Sequence, residues 1–251
     1  MFRTRFKNEI VAEFLPPSRA LKKQTLVVLC DGMPSIPRKQ LLAEFLASKG
    51  FWVIYPRYRG AWESGGEFLA RSPHEDIQDI LDEFPAELEE VAFGQRFQVA
   101  PDQIFVIGGS FGGAAAILLS LDSRVKRVVA NCPVVDWSIL GSAEKAETSK
   151  ENYAEYIRQA FGNGYRLSDT NWAKLRSGTF YNPWHRKAEI DGSKVLMFHA
   201  KDDPNVPYAR TKRFAEITGA KLKTLTRGGH ISTDYVTRKY WTNIKKFFEG
   251  K

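Results

Sequence analysis

The sequence predicts an α/β protein: a mainly parallel, doubly wound sheet with helices on both faces. Three observations predict it. Strand-like runs that are almost continuously apolar recur at intervals suited to β-α-β units, and such runs belong to strands buried on both faces. Amphipathic helical patterns lie between them. One junction, residues 104–116 (IFVIGGSFGGAAA), reads as strand, sharp turn and helix with a serine at the apex.

In chain order, strands are expected at 10–15, 26–29, 51–55, 104–107, 125–130, 195–198 and 222–226. Helices are expected between and after them. Residues 37–49 place Leu41, Leu42, Phe45 and Leu46 on one face. Residues 73–93 open on Ser72-Pro73, a cap and first-turn proline, and carry Ile77, Ile80, Leu81, Phe84 and Leu88, with Pro85 as a candidate interruption. Residues 114–121 follow the serine turn, and 208–218 and 235–248 close the chain. Residues 136–185 break the rhythm. They are polar first and aromatic later, with Trp137, Tyr153, Tyr156, Phe161, Tyr165, Trp172, Phe180, Tyr181 and Trp184. Lying between two sheet strands, the segment reads as a cap-like insertion whose aromatics could wall a substrate pocket. The whole chain, 1–251, is expected to form one domain around it.

Composition narrows the function classes. No stretch approaches the roughly 20 apolar residues needed to span a bilayer, and the first residues lack the apolar core of a secretory signal. Two cysteines, Cys30 and Cys132, make no disulfide framework and are expected as small core residues in a reducing cytoplasm. The net charge of +8 suggests nucleic acid, but its distribution argues otherwise. Residues 67–90 are strongly acidic, and much of the basic excess after residue 200 alternates with apolar residues on presumptive helices, as on a solvated face. Neither G-x-x-x-x-G-K-[ST] nor a G-x-G-x-x-G in the serine turn supports nucleotide binding.

The serine turn carries the chemistry. A nucleophilic serine must stand proud of the sheet on a strained backbone, and Gly108 and Gly112 let strand and helix approach closely around Ser110. Its Oγ would sit at a helix N-terminus, which favours developing negative charge. Serine is a weak nucleophile until a base takes its proton, and the base needs an orienting acid. With the nucleophile first, acid and then histidine should follow. Of His74, His185, His199 and His230, only His230 comes after a plausible acid, in a Gly-rich loop beyond the last strand. Asp202 and Asp203, just beyond the strand at 195–198, both qualify as the acid.

These blocks resemble the α/β-hydrolase superfamily, and most closely the catalytic domain of prolyl oligopeptidase-like serine hydrolases. GGSFGG is similar to that group's G-G-S-Y-G-G, with Phe111 in place of Tyr. Asn182-Pro183 and then VLMFHAKDDPNVP resemble its S-P and H-G-x-x-D-x-x-V-P. Tyr58-Arg59-Gly60 with Ser64-Gly65-Gly66 resembles an earlier Y-R-G…G segment. In that register Asp203 matches the catalytic Asp, and His199 matches a structural His. The resemblance spans roughly residues 25–250 and implies an α/β-hydrolase fold with a Ser110, Asp203, His230 triad. Phe111 and Met33 would donate the oxyanion-hole N–H groups, Met33 by its match to an H-G-x-P loop. Asp31 stands where that loop usually has His, and its charge needs a partner, with Arg57 and Arg59 as candidates.

The expected function is hydrolysis of a carboxylic ester or related acyl bond, with no cofactor and no metal. The substrate would be a small-molecule ester or a short peptide. An alternative is a prolyl oligopeptidase-like peptidase. A reading of another class is a non-catalytic hydrolase-fold binding protein. No nucleic-acid partner and no membrane span are expected, and the oligomeric state is left open.

Overall fold

The structure is a computed structural model that describes residues 1–19, 23–138 and 150–251, with backbone only at 150–152. Ten strands are present among the described residues: β1 (Phe2–Phe6), β2 (Ile10–Leu15), β3 (Thr25–Cys30), β4 (Trp52–Pro56), β5 (Ala86–Glu89), β6 (Arg96–Val99), β7 (Gln103–Gly109), β8 (Val125–Asn131), β9 (Val195–Ala200) and β10 (Lys221–Leu225). Eight of them form one sheet in the order β1-β2-β4-β3-β7-β8-β9-β10. The first two pairings, β1 with β2 and β2 with β4, are antiparallel. All the others are parallel.

Helices cover both faces. They are α1 (Gln40–Ser48), α2 (Pro73–Leu81), α3 (Phe111–Leu119), α4 (Lys150–Phe161), α5 (Asp169–Ala173), α6 (Tyr208–Thr218), α7 (Thr233–Lys239) and α8 (Trp241–Glu249). The period-2 alternation of the strands sorts side chains into two cores. Leu26, Val28, Val106 and Val128 share one face with Ile77 and Ile80 of α2 and all the apolar residues of α3. Val27, Leu29, Phe105, Ile107 and Val129 share the other with Leu42 and Leu46 of α1 and Ile244, Phe247 and Phe248 of α8. Phe105 and Phe248 stack at 4.0 Å. Each such side chain, fully buried, contributes roughly 1.5–3 kcal/mol.

Three expectations need correction. The helix expected over 73–93 ends at Leu81. Pro85 lacks an amide donor and disfavours helical backbone at Phe84, and the chain then forms the β5–β6 hairpin. There Leu88 and Val99 face inward while Glu87, Glu89 and Arg96 face out, a period of two. The helix expected over 235–248 is two helices, α7 and α8, broken at Tyr240. Strand β1 was not expected; with Arg3 and Arg5 exposed on a sheet edge, it shows no apolar run. Of the insertion at 136–185, residues 139–149 lie outside the described residues. The remainder folds against residues 58–70: Trp62 N–H donates to Gly164 O at 2.9 Å, Phe68 N–H to Arg166 O and Arg166 N–H to Gly60 O, both at 2.8 Å.

Candidate active site

The parallel strands β3, β7, β8, β9 and β10 all run toward one edge of the sheet, so the loops after them meet there. Loops at this edge of an α/β sheet are where ligands and chemistry sit.

Ser110 follows β7 with φ +54° and ψ −118° and stands at the N-cap of α3. Two glycines make that turn fit. A Cβ on Gly108 would lie 2.1 Å from Gly112 O, and one on Gly112 would lie 2.3 Å from Cys30 O. The turn is pinned by Ser110 N–H donating to Asn131 O (2.9 Å) and Val134 N–H donating to Ser110 O (3.1 Å). The Ser110 side chain makes no capping bond to the helix.

Asp203 lies beyond β9 with its carboxylate fully buried. His230 Nδ1–H donates to its Oδ2 at 2.9 Å. The same oxygen lies 3.2 Å from His199 Nε2, and Oδ1 accepts from the Asn205 and Val206 amides at 2.8 and 3.0 Å. Burial pushes this carboxyl up, but the hydrogen bonds from His199, His230 and Val206 outweigh it and hold the group well below the usual carboxylate range. Asp203 is therefore an anion at neutral pH. Asp202 points elsewhere: its oxygens accept from Gly229 N–H (2.9 Å) and Gly228 N–H (3.2 Å), and those two amides keep its carboxyl low. One aspartate holds the imidazole and its neighbour holds the loop backbone.

Two contacts bring the histidine loop to the serine turn. The Asn131 side-chain amide donates to Ile231 O while its main-chain oxygen receives Ser110 N–H. Thr233 packs so closely on Gly109 that a Cβ there would lie 2.0 Å from Thr233 Oγ1.

The loop after β3 lies beside Ser110: a Cβ on Gly32 would sit 3.5 Å from Gly109 O and 3.8 Å from Ser110 Cβ. Phe111 N–H, first in its helix, has no intrahelical acceptor. Asp31 does not pair with Arg57 or Arg59. Arg57 is taken by Glu13 (2.8 Å) and Glu63 (3.4 Å), and Arg59 by Glu9, Asp76 and Asp79. Lys39 Nζ neutralises Asp31 instead at 3.2 Å, and the carboxylate receives Gly32 N–H (2.9 Å), Ser35 Oγ–H (2.6 Å) and Tyr55 O–H. Asp31 therefore ties down the loop after β3 through Lys39, Ser35 and Tyr55.

Aromatic rings line this end of the sheet. Phe111 packs against Tyr181 (4.7 Å), Trp137 (5.6 Å), and Tyr58 and Phe68 (both 5.7 Å). Tyr181 O–H donates to Phe111 O at 2.6 Å. Tyr165 of the insertion receives Ser35 N–H on its hydroxyl at 2.9 Å. Sequence reasoning missed the roles of Asn131 and Tyr165, whose partners lie 100 and 130 residues away. It placed Cys132 in the core, as the structure does, but gave it no neighbours at the site. Cys132 is buried, but its sulfur stands within 4.8 Å of ligating atoms of Asp203 and His230.

No helix among the described residues is long and apolar enough to cross a membrane. The sequence profile of the prolyl oligopeptidase family matches residues 38–249. Among solved structures, an esterase from Pyrococcus furiosus is similar with a TM-score of 0.69 and 16% identity, over 98% of this chain and 88% of that one. Est1E from Butyrivibrio proteoclasticus, solved with ferulic acid bound, has a TM-score of 0.68 and 15% identity over 99% and 100% of the two chains. An acylaminoacyl peptidase from Pyrococcus horikoshii has a TM-score of 0.66 and 17% identity over 98% of this chain, which spans 40% of that protein's length.

Proposed function

The chain belongs to the prolyl oligopeptidase family of α/β-hydrolases, and on that premise we propose that it cleaves a carboxylic ester through an acyl-enzyme on Ser110. The observation that carries this reading is the 2.9 Å hydrogen bond from His230 to a buried, anionic Asp203, on a loop tied to the Ser110 turn. With Nδ1–H committed to Asp203, the lone pair of His230 is on Nε2. That nitrogen takes the Ser110 proton as Oγ attacks the carbonyl carbon. Charge then develops on the carbonyl oxygen, where the Met33 and Phe111 N–H groups and the N-terminus of α3 stabilise it. His230 returns the proton to the leaving alkoxide. Water, deprotonated by the same nitrogen, then releases the acid and frees Ser110. Asp203 stabilises the imidazolium in both half-reactions.

An ester is preferred to a peptide because an esterase, that of Pyrococcus furiosus, shares this fold over 98% of the chain. The test is fluorophosphonate labelling mapped by peptide mass spectrometry, alongside turnover of short-chain p-nitrophenyl esters and N-acyl peptide substrates. Label on Ser110 is expected, with kcat/KM higher for the esters. Ser110→Ala should lose the label and at least about 10³-fold of the rate. Turnover retained in Ser110→Ala would sink the mechanism. Folded protein that neither labels nor turns over would be a binding protein instead.

A further inference from the structure

Behind the Asp203–His230 pair stands a third group that the mechanism does not use. Cys132 follows β8 and is buried, with φ +43°. This left-handed backbone favours glycine. It leaves Cys132 Sγ, a carboxylate oxygen of Asp203 and a ring nitrogen of His230 all within 4.8 Å of one another. One sulfur, one nitrogen and one oxygen are a donor set of the kind that zinc and its congeners take. Bond lengths of about 2.0–2.3 Å put ligand atoms roughly 3.3–3.7 Å apart around a tetrahedral ion. The sulfur need draw in by no more than about 1 Å, while the imidazole and carboxylate, 2.9 Å apart, part by about 0.5 Å to admit the ion.

We propose that Cys132, Asp203 and His230 form a site for a thiophilic divalent cation, whose binding switches the hydrolase off. The proposal rests on reading His230 as the catalytic base. The Cys132 S–H also points to Asn131 Oδ1 at 3.8 Å. On binding, the Cys132 S–H bond breaks, a sulfur–metal bond forms, and one proton goes to solvent. His230 gives up its Nδ1 proton to bind the ion through Nδ1 and takes a proton on Nε2, so the ring stays neutral. That change of tautomer is the inhibitory step. Nε2, which must accept the Ser110 proton, now carries one. The carboxylate that would steady an imidazolium is committed to the metal.

Cadmium is the probe, because a cadmium–thiolate bond gives an ultraviolet charge-transfer band that can be read without turnover. In the intact protein, one equivalent of cadmium should raise the band and abolish ester hydrolysis in parallel. Cys132→Ser should show no band and need at least about 10-fold more cadmium for half-inhibition, each protein being compared with its own metal-free rate. Cys132→Gly, favoured by the positive φ, supplies a second variant with the same expectation. A band that survives both substitutions, or inhibition at the same cadmium concentration with and without the thiol, overturns the proposal. Ser110→Ala should keep the band. If Ser110 is not the nucleophile, the band therefore persists and only the catalytic reading falls. If the metal site is wrong, fluorophosphonate labelling persists and only the site falls.

Discussion

Asp203 is buried between two imidazoles, whereas Asp202 reaches only the amides of Gly228 and Gly229. The consequences of removing each charge should differ accordingly. Asp203→Asn presents an amide to His230 and disturbs the tautomer that leaves Nε2 free. We expect kcat to fall by about 10³–10⁴ with KM nearly unchanged. Asp202→Asn keeps one acceptor oxygen for the loop, so the loss should stay within about 10-fold. Steady-state kinetics on one ester decides it, and the reverse ranking would place the orienting acid at 202. Chain order pointed to Ser110 and His230, and the family resemblance to Asp203 over Asp202, because a strained turn and a strand end leave local signatures; the structure sets Asp203 against His230 at 2.9 Å. Asn131, Tyr165 and Lys39 leave no such signatures. They reach the site through sheet register and loop packing, so nothing in their neighbouring residues announces them. Asp31 shows the limit most clearly: the nearer-looking cations, Arg57 and Arg59, are held by Glu13, Glu63, Glu9, Asp76 and Asp79.

At the scale of elements, the strand β7, turn and helix α3 pack closely together, and their glycines are not equivalent to those nearby. A Cβ on Gly112 meets main-chain oxygens of Cys30 and Asp31 at 2.3 and 2.4 Å, atoms that move only if β3 moves. Gly112→Ala should cost about 3 kcal/mol in denaturant unfolding. Gly32→Ala meets its nearest atom at 3.5 Å, an ordinary contact, and should change stability by less than about 0.5 kcal/mol. Equal losses would mean that the close approach at Gly112 is relieved by a shift of the helix. The insertion is held differently, by Arg166, whose guanidinium donates to the carbonyls of Trp62 and Gly66, each at 3.0 Å, and of Ser64. Arg166→Ala should leave the sheet intact and speed proteolytic cleavage within residues 150–185 by about 10-fold, through easier local opening. Unchanged cleavage would show that the backbone bonds at Gly60, Trp62 and Phe68 suffice. The parallel strands were legible because burial on both faces demands apolar runs. The β5–β6 hairpin was not: its inward residues Leu88 and Val99 are spaced by charged and polar ones, and Ile77, Ile80 and Leu81 had already set a helical period.

The whole molecule has a pH dependence that follows from one half-buried histidine on α2. His74 accepts or donates through Nδ1 to Ser72 Oγ at 2.8 Å and lies parallel to Tyr181, with ring centres 6.5 Å apart. Burial, and then the charges of Arg186 and Arg71, push it down to about 4 from its ordinary 6.5. Between those values the unfolded chain binds a proton that the native state does not. Stability therefore rises with pH across this window and is lost as pH falls from about 6.5 to about 4. The upper bound, at 1.36 kcal/mol for each unit, is about 3 kcal/mol. Asp76, one turn into the same helix, works the other way. Burial raises its carboxyl to about 6 against the pull of Arg59, so the native state binds the extra proton between about 4 and 6. The two effects oppose each other in the wild-type curve, which can look flat while both operate. Comparison with His74→Gln separates them, because both proteins keep Asp76 and every other titrating group. The unfolding free energy of the wild type minus that of the variant should fall by about 2 kcal/mol between pH 7 and pH 4.5. A gap that stays constant would mean that His74 takes up its proton in the native state without penalty, and that α2 yields to admit water around it.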